Sequence, residues 1–385
     1  MSKYDTIKFN KDDIIIKSGE KPLNHFYIIL KGKTTCYNDF YKSYKYNNEK
    51  GSILGLVSST INEPYFSTIE AEEETEVIKI KTDSIINISN EELLDKIYNY
   101  LYLILETWLS KYYTILAKNK VDLYNKYDIL TMIKIYKNNG YTDVVHKMAS
   151  KYMHMFPDTD DADEIKKILN DIKPLEKPKH IIGTSFEFKK GYCLYSEISS
   201  SNHIYIIKSG KVGIYCILNE KQIIRNIYSE GYIINGYPPS LEYKPLLTTA
   251  IILEDSVINI ISKKELVKMI NKDRELRMDF IKMASIKVHN AILKIKSINT
   301  KELNKKLIII IYSIIKMETL FNNDIKTLKS LYKIDDIKNM LNIKMSNKDI
   351  CLELEKVKYI EIDSLNNINI SDVKNYIEEY KNYIF

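Results

Sequence analysis

A chain of 385 residues, 45% of them apolar, is long enough for two to four domains with ordinary buried cores. MSKYDTIKFN at 1–10 lacks the apolar segment of a secretion signal, and the longest apolar run, LIIIIYSII at 307–315, is too short for a bilayer, so a cytoplasmic protein with no membrane partner is expected. The four cysteines, Cys36, Cys193, Cys216 and Cys351, are far apart and form no CxxC, which argues against a disulfide framework or a zinc or iron–sulfur site, and a net charge of +6 spread over a Lys-, Asn-, Ile- and Tyr-rich composition says little about nucleic acid.

In chain order, FNKDDIIIKSGE from 9 leads into HFYIILKGK at 25–33, whose alternating apolar residues and closing glycine predict short strands joined by tight turns. A glycine turn, a proline and two further strand-like runs follow in GSILGLVSSTINEPYFSTIEAEEETEVIKI from 51, then a long amphipathic helix from 91. The same order returns: FKKGYCLYSEI from 188, HIYIIKSGK at 203–211, GYIINGYPPSLEYKPLLTTAIILEDSVINII from 231, and a helical stretch from 263 to 296. HIYIIKSGK differs from HFYIILKGK at three positions, so the chain contains a tandem repeat of one strand-rich unit.

With these motifs, residues 9–118 and 188–296 resemble the cyclic-nucleotide-binding β-roll of the Crp/Fnr regulators and of kinase regulatory subunits. The resemblance implies a cassette in which a glycine–glutamate pair holds the ribose and an arginine after the proline neutralises the cyclic phosphate. The matching positions are Gly55, Leu56, Pro64 and Tyr65 in the first copy, and Gly236, Tyr237, Pro245 and Leu246 in the second. Both glutamates and both arginines are missing, and no arginine precedes Arg225. Losing a charge-assisted contact costs about 1.5–3 kcal/mol, so neither cAMP nor cGMP is expected as an ordinary ligand, and no cofactor is expected. Ser67 and Thr68 in one copy, and Thr248 and Thr249 in the other, leave two readings open: hydroxyls that hold another small effector, or a pocket packed without one.

Between the copies, 121–172 predicts two or three short helices, broken at Asn138-Asn139-Gly140 and Phe156-Pro157, and NNGYTDVVHKMASKYMHMFPDTDDAD resembles a single tetratricopeptide-type repeat. One such repeat cannot bury its own face, so it is expected to pack on a roll or a partner. KPLEKPKH opens a linker at 173–187. After 299, a long apolar helix precedes one short helix face (Ile337, Met340, Leu341), a turn at Asn342, a second face (Ile350, Leu354, Val357) and the alternating YIEIDSLNNINISD. Helix, turn, helix, ribbon resembles the winged-helix DNA-binding domain of the Crp/Fnr proteins. Its base-reading arginines and glutamate are absent, which leaves Lys344, Ser346, Asn347 and Lys348 as candidate readers of duplex DNA. Residues 301–385 hold 14 Lys, no Arg and 13 Asp plus Glu, a weak electrostatic footprint for DNA.

None of the six histidines falls in HExxH or beside a nucleophile motif, no GxxxxGK or GxSxG occurs, and no enzyme is expected. His25 and His203 share a place in the repeat, where a role in holding the roll is the simpler reading. The expected fold is α+β: antiparallel β-rolls at 1–120 and 188–298, the helical module and linker between them, and a winged helix at 299–385. The apolar stripe Leu266, Met269, Leu276, Phe280, Met283, Ile286, Ile292 and Ile295 predicts a homodimer through 263–296. The expected function is a Crp/Fnr-like transcriptional regulator with an unknown small-molecule or protein effector, and the alternative is a regulatory or scaffold protein that binds no DNA.

Overall fold

The computed structural model describes residues 5–41, 45–117, 126–235, 248–322 and 324–385. The first copy folds into two four-stranded antiparallel sheets. One runs in the order Asp5–Phe9, Thr75–Lys81, His25–Lys31 and Ile53–Leu54, and the other Ile14–Ile16, Thr68–Ala71, Thr34–Tyr37 and Lys45–Asn48. In the second copy the repeated string opens one unbroken strand, Ile204–Leu218, paired along most of its length with Thr249–Ile261 inside a seven-stranded sheet. The glycine of the string has the same task in both copies. Gly32 (φ +91°) and Gly210 (φ +86°) pass against the following turn, where a Cβ would lie 2.6 Å from Glu74 O and 2.7 Å from Asp255 O.

Beside a 3-10 turn at Thr82–Asn87, the described residues hold eleven α-helices: α1 Leu56–Ile61, α2 Glu91–Ala117, α3 Lys126–Asn138, α4 Thr142–Met155, α5 Ala162–Asp171, α6 Lys263–Lys272, α7 Arg274–Asn299, α8 Leu303–Glu318, α9 Ile334–Leu341, α10 Asn347–Leu354 and α11 Val373–Ile384. Two boundaries differ from the sequence reading. The linker predicted at 173–187 contains strands Lys179–Ile182 and Ser185–Phe188, a hairpin turning at Gly183 (φ +55°) that joins the second sheet through Thr249–Ile261. The helical stretch from 263 is broken at Asp273, whose extended backbone and carboxylate cap α7 by accepting from Glu275 N and Leu276 N at 3.0 Å.

The module α3–α5 packs on the second roll. Tyr136 donates to Glu197 Oε2 (2.7 Å), and buried Asp143 accepts from Cys193 N (2.8 Å) and Leu175 N (3.0 Å) while pairing with Lys147 at 2.8 Å. The C-terminal segment is drawn into the same body. Helix α8 is apolar nearly all round and is buried from Leu307 to Ile315, α11 packs on it, and Tyr112 of α2 donates to Met340 O of α9.

The predicted dimer stripe has a different partner. Met283, Ile286, Ile292 and Ile295 are buried within the single chain, and α7 packs against α2 of the first copy, with Tyr98 edge-on to Phe280 at 5.6 Å. A homodimer through 263–296 therefore loses its apolar driving force: the repeat supplies in one chain the paired helix that a second copy was expected to bring. Met269, 40% exposed, is the stripe residue left in solvent.

The two copies are further joined at buried Arg277 at the start of α7. Its Nη1 donates to Ile88 O (2.9 Å) and Ile86 O (3.3 Å) of the first roll, while Nε and Nη2 donate to Ile270 O (3.1 Å) and Asn271 O (2.7 Å) at the end of α6.

Candidate functional site

In the first roll, Gly55 (φ +78°) caps α1 in a left-handed conformation that lets the chain pass over Tyr65, whose Cε1 would lie 3.1 Å from a Cβ there. Leu56 is fully buried, Tyr65 is buried, and burial pushes the Tyr65 phenol up to about 12. Two bulky side chains thus occupy the places where the resemblance called for charged groups. Ser67 and Thr68 are half-buried, and Thr68 Oγ1 accepts from Ser18 N at 3.2 Å, a bond that holds one strand entry to the next. His25 is also structural: buried, it pairs through Nε2 with Tyr27 OH at 2.6 Å and through Nδ1 with Leu23 O at 2.8 Å. His203 is exposed, beside Ser201 Oγ at 3.0 Å, so the shared sequence position carries two different contacts.

The loop after α1 contacts the C-terminal segment. Fully buried Glu63 accepts from Tyr312 OH (3.0 Å) and pairs with Lys316 (2.8 Å) of α8 and Lys381 (3.3 Å) of α11. Burial pushes the Glu63 carboxyl up, but the Lys316 and Lys381 ammonium groups outweigh it and hold the group below its ordinary range. His289 of α7 stands in the same pocket between Phe66 and Phe385, with neither ring nitrogen hydrogen-bonded, and burial holds it down to about 3. The cassette region of the first copy is thereby wired to α7, α8 and α11, a connection that no short motif announces.

In the second roll, Gly236, Tyr237, Pro245 and Leu246 lie outside the described residues. Thr249 is buried and committed to Glu197, donating to Oε2 at 3.1 Å, whereas Thr248 lines a cavity of about 690 Å³. The cavity lies between the second roll, α6 and α7, with α2 of the first copy as its far wall. Its deep polar residues, Arg225 from strand Lys221–Tyr228 and Lys287 from α7, were not among the sequence candidates. Lys287 Nζ donates to Ile233 O and lies 4.6 Å from the centre of the Tyr228 ring; burial, aided by Arg225, pushes it down to about 7. The one sequence signal was rarity, since the chain has three arginines, Arg225, Arg274 and Arg277, and Arg225 alone falls inside a strand of a roll.

Near the C-terminus, Ile337, Met340 and Leu341 of α9 and Ile350, Leu354 and Val357 in and after α10 are buried, α9 packing on strand Lys221–Tyr228, α7 and α10, and α10 on α8, and Asn342 adopts φ 51° at the turn. The strands Ile360–Ile362 and Ile368–Ile370 pair as a ribbon that Leu328 extends through 2.8 Å bonds in both directions to Ile370. Lys344 and Lys348 are exposed, and Ser346 caps α10 by accepting from Asp349 N at 3.2 Å. Asn347 is half-buried with its carbonyl oxygen held by Lys338, so one half of its amide is already engaged. The exposed side of α10 also shows Asp349, Leu352 and Glu355.

Among the described residues, no helix is long and apolar enough to cross a membrane, and no group of His, Cys, Asp and Glu could hold a metal ion. Residues 6–92 and 185–273 match the family model described as the cyclic nucleotide-binding domain. Among solved structures, FixK2 from Bradyrhizobium japonicum is 14% identical, with 51% of this chain and 97% of that chain covered and a TM-score of 0.38. A CooA mutant from Carboxydothermus hydrogenoformans is 16% identical over 51% of this chain and 87% of that one, also at 0.38. A transcriptional regulator of the CRP family from Thermus thermophilus is 15% identical over 50% and 95%, at 0.34. No curated protein matches the chain. With the repeat, the two antiparallel rolls and the family match in agreement, the chain carries two cyclic nucleotide-binding domains within an α+β fold.

Proposed function

We propose that this protein is a non-enzymatic, cytoplasmic transcriptional regulator of the Crp/Fnr type in which both sensor domains of the regulatory pair reside in one chain. The observation that carries the reading is the packing of α2 on α7. Two cyclic nucleotide-binding domains, each ending in a long helix, are paired through those helices, and the second is followed, after α8, by the two short helices α9 and α10 with a turn between them and a ribbon. In this reading the ribbon is the wing, α10 enters the major groove, Lys344 and Lys348 meet phosphates, and Ser346 and Asn347 face base edges. Neither roll takes cAMP or cGMP as its ordinary ligand, because Leu56, Tyr65, Tyr237 and Leu246 stand where the charged cassette would be. An effector acts by changing how α2 and α7 pack, which shifts the balance between two placements of α10.

Because the dimer-like helix pair is intramolecular, light scattering at tens of micromolar is expected to give one chain, about 45 kDa. A stable dimer of twice that mass would return the helix pair to two subunits. DNA binding is tested with short duplexes at low salt, read by anisotropy. Replacing Lys344 and Lys348 by alanine is expected to weaken binding across sequences and to lower the salt slope by at most about two.

A further inference from the structure

We propose that the cavity of the second roll binds an amphiphilic organic anion, a carboxylate on an apolar body, through Arg225 and Lys287. The inference deepens the sensing half of the proposed function and does not depend on DNA binding. Arg225 carries a permanent charge, and its buried Nε and the buried Tyr113 hydroxyl, both lining the cavity, find no hydrogen-bond partner. No ion pair forms on Arg225 among the described residues. Arg225 is half-buried, with its guanidinium against the Tyr228 hydroxyl; the Nε that is withdrawn from water has no acceptor, and a charge so placed, without a carboxylate, is best compensated by an anion that fits its planar fork.

The neighbouring groups favour an anion rather than a second protein cation. Lys287 adds a donor from α7, and Lys294, one stretch further along the same helix, stands behind Arg225 with its ammonium on Arg225 O and on Asn226 Oδ1 at 2.9 Å. The carboxylates in the lining come from α2: Glu106, which is engaged in another contact, and Asp95, which is exposed at the mouth together with Lys263. The remaining wall is apolar and aromatic, with Leu105 and Leu109 of α2 facing Ile214, Phe280 and Met283. At about 690 Å³ the space is in the range that holds ligands of some tens of atoms, far more than an inorganic ion fills. Because one wall belongs to the first copy and the rest to the second, an occupant touches both members of the α2–α7 pair.

The groups around Lys287 also predict a proton balance. It faces Arg225, the Tyr228 and Tyr232 rings and Ile233 O, with a pKa lowered to about 7. At pH 8 most of the empty site holds a neutral Lys287, and an arriving anion favours its charged form, so binding takes up a proton.

The test is calorimetric titration of the full chain with decanoate, decanol, decyl phosphate, acetate and cAMP. Decanoate is expected to bind at least tenfold tighter than decanol and acetate, with proton uptake at pH 8 seen in buffers of different ionisation enthalpy. Arg225→Met is expected to weaken decanoate at least tenfold and Lys287→Met about threefold, the latter abolishing the proton uptake. If Arg225→Met does not fold by circular dichroism, Arg225→Lys, which keeps the charge and loses the fork, is expected to bind several-fold more weakly than the parent. Equal binding of decanol and decanoate, unchanged affinity in the Arg225 variants, or absence of binding by every anion overturns the proposal. Preference for decyl phosphate would move the head group from carboxylate to phosphate and overturn the stated class; tighter binding of cAMP would overturn both this site and the reading of the degenerate cassette. None of these readouts involves DNA, so a failure here leaves the DNA-binding reading to its own test.

Discussion

Replacing Glu63 by alanine is expected to destabilise the folded chain by about 3 kcal/mol, read as a lower denaturant midpoint at neutral pH. Removing one partner of a buried pair leaves the other charges without compensation. Here the effect falls at the lower end of the usual range, because Lys316 and Lys381 keep 22% and 24% of their side-chain surface in water and can rehydrate. Glu63→Gln retains an acceptor for Tyr312 while losing the charge, and its loss should be intermediate. An alanine variant as stable as the parent would mean that the contact from α1's loop to α8 and α11 carries no energy. The same pocket sets an acid sensitivity. Glu63 is held below its ordinary 4.5, so its contribution is complete above that pH and is lost as pH falls through the lower folded value. His289, held near 3 against an ordinary 6.5, binds its proton first in the unfolded chain, so stability falls by about 1.4 kcal/mol per unit from pH 6.5 downward. His289→Phe should remove that second slope.

Arg277→Leu is expected to cost about 4 kcal/mol or more and to uncouple the two rolls. The substitution strips donors from Ile86 O, Ile88 O, Ile270 O and Asn271 O together, and each lost bond to a charged donor is worth about 1.5–3 kcal/mol before the carbonyls find water. Since two of these carbonyls belong to the first roll and two to the α6–α7 turn, the parent should unfold in one calorimetric transition and the variant in two. A single transition at an unchanged temperature in the variant would show that α2–α7 packing alone holds the copies together.

The architecture was readable in the sequence where the signal was local. HFYIILKGK and HIYIIKSGK marked both rolls because strand alternation and a glycine at a close backbone approach leave a short, repeatable trace. Asn342, with Ile337, Met340, Ile350 and Leu354 around it, marked the two short helices for the same reason. What was not readable depended on which surfaces meet. The α7 stripe states that a helix will cover it, and no periodicity says whether that helix belongs to another copy or, as here, to residues 91–117 of the same chain. The hairpin at 179–188 was hidden by the prolines just before it. Arg225 and Lys287 are separated by a sheet strand and a helix, and Glu63 meets Lys316 and Lys381 only after the C-terminal segment has docked. Such clusters belong to tertiary structure, and pattern reading cannot assemble them.

If the protein is the proposed single-chain regulator with one DNA-reading helix, selection of random duplexes by the full chain at low salt will show it in the form of the enriched site. A symmetric pair of subunits would enrich two inverted half-sites about 10 base pairs apart. One chain with one α10 should instead enrich a single asymmetric half-site, with base preference relaxed by Asn347→Ala and overall affinity lowered by loss of Lys344 and Lys348. Failure to enrich any sequence, with no duplex bound even at low salt, would contradict the claim and leave the C-terminal helices as a surface for protein contact.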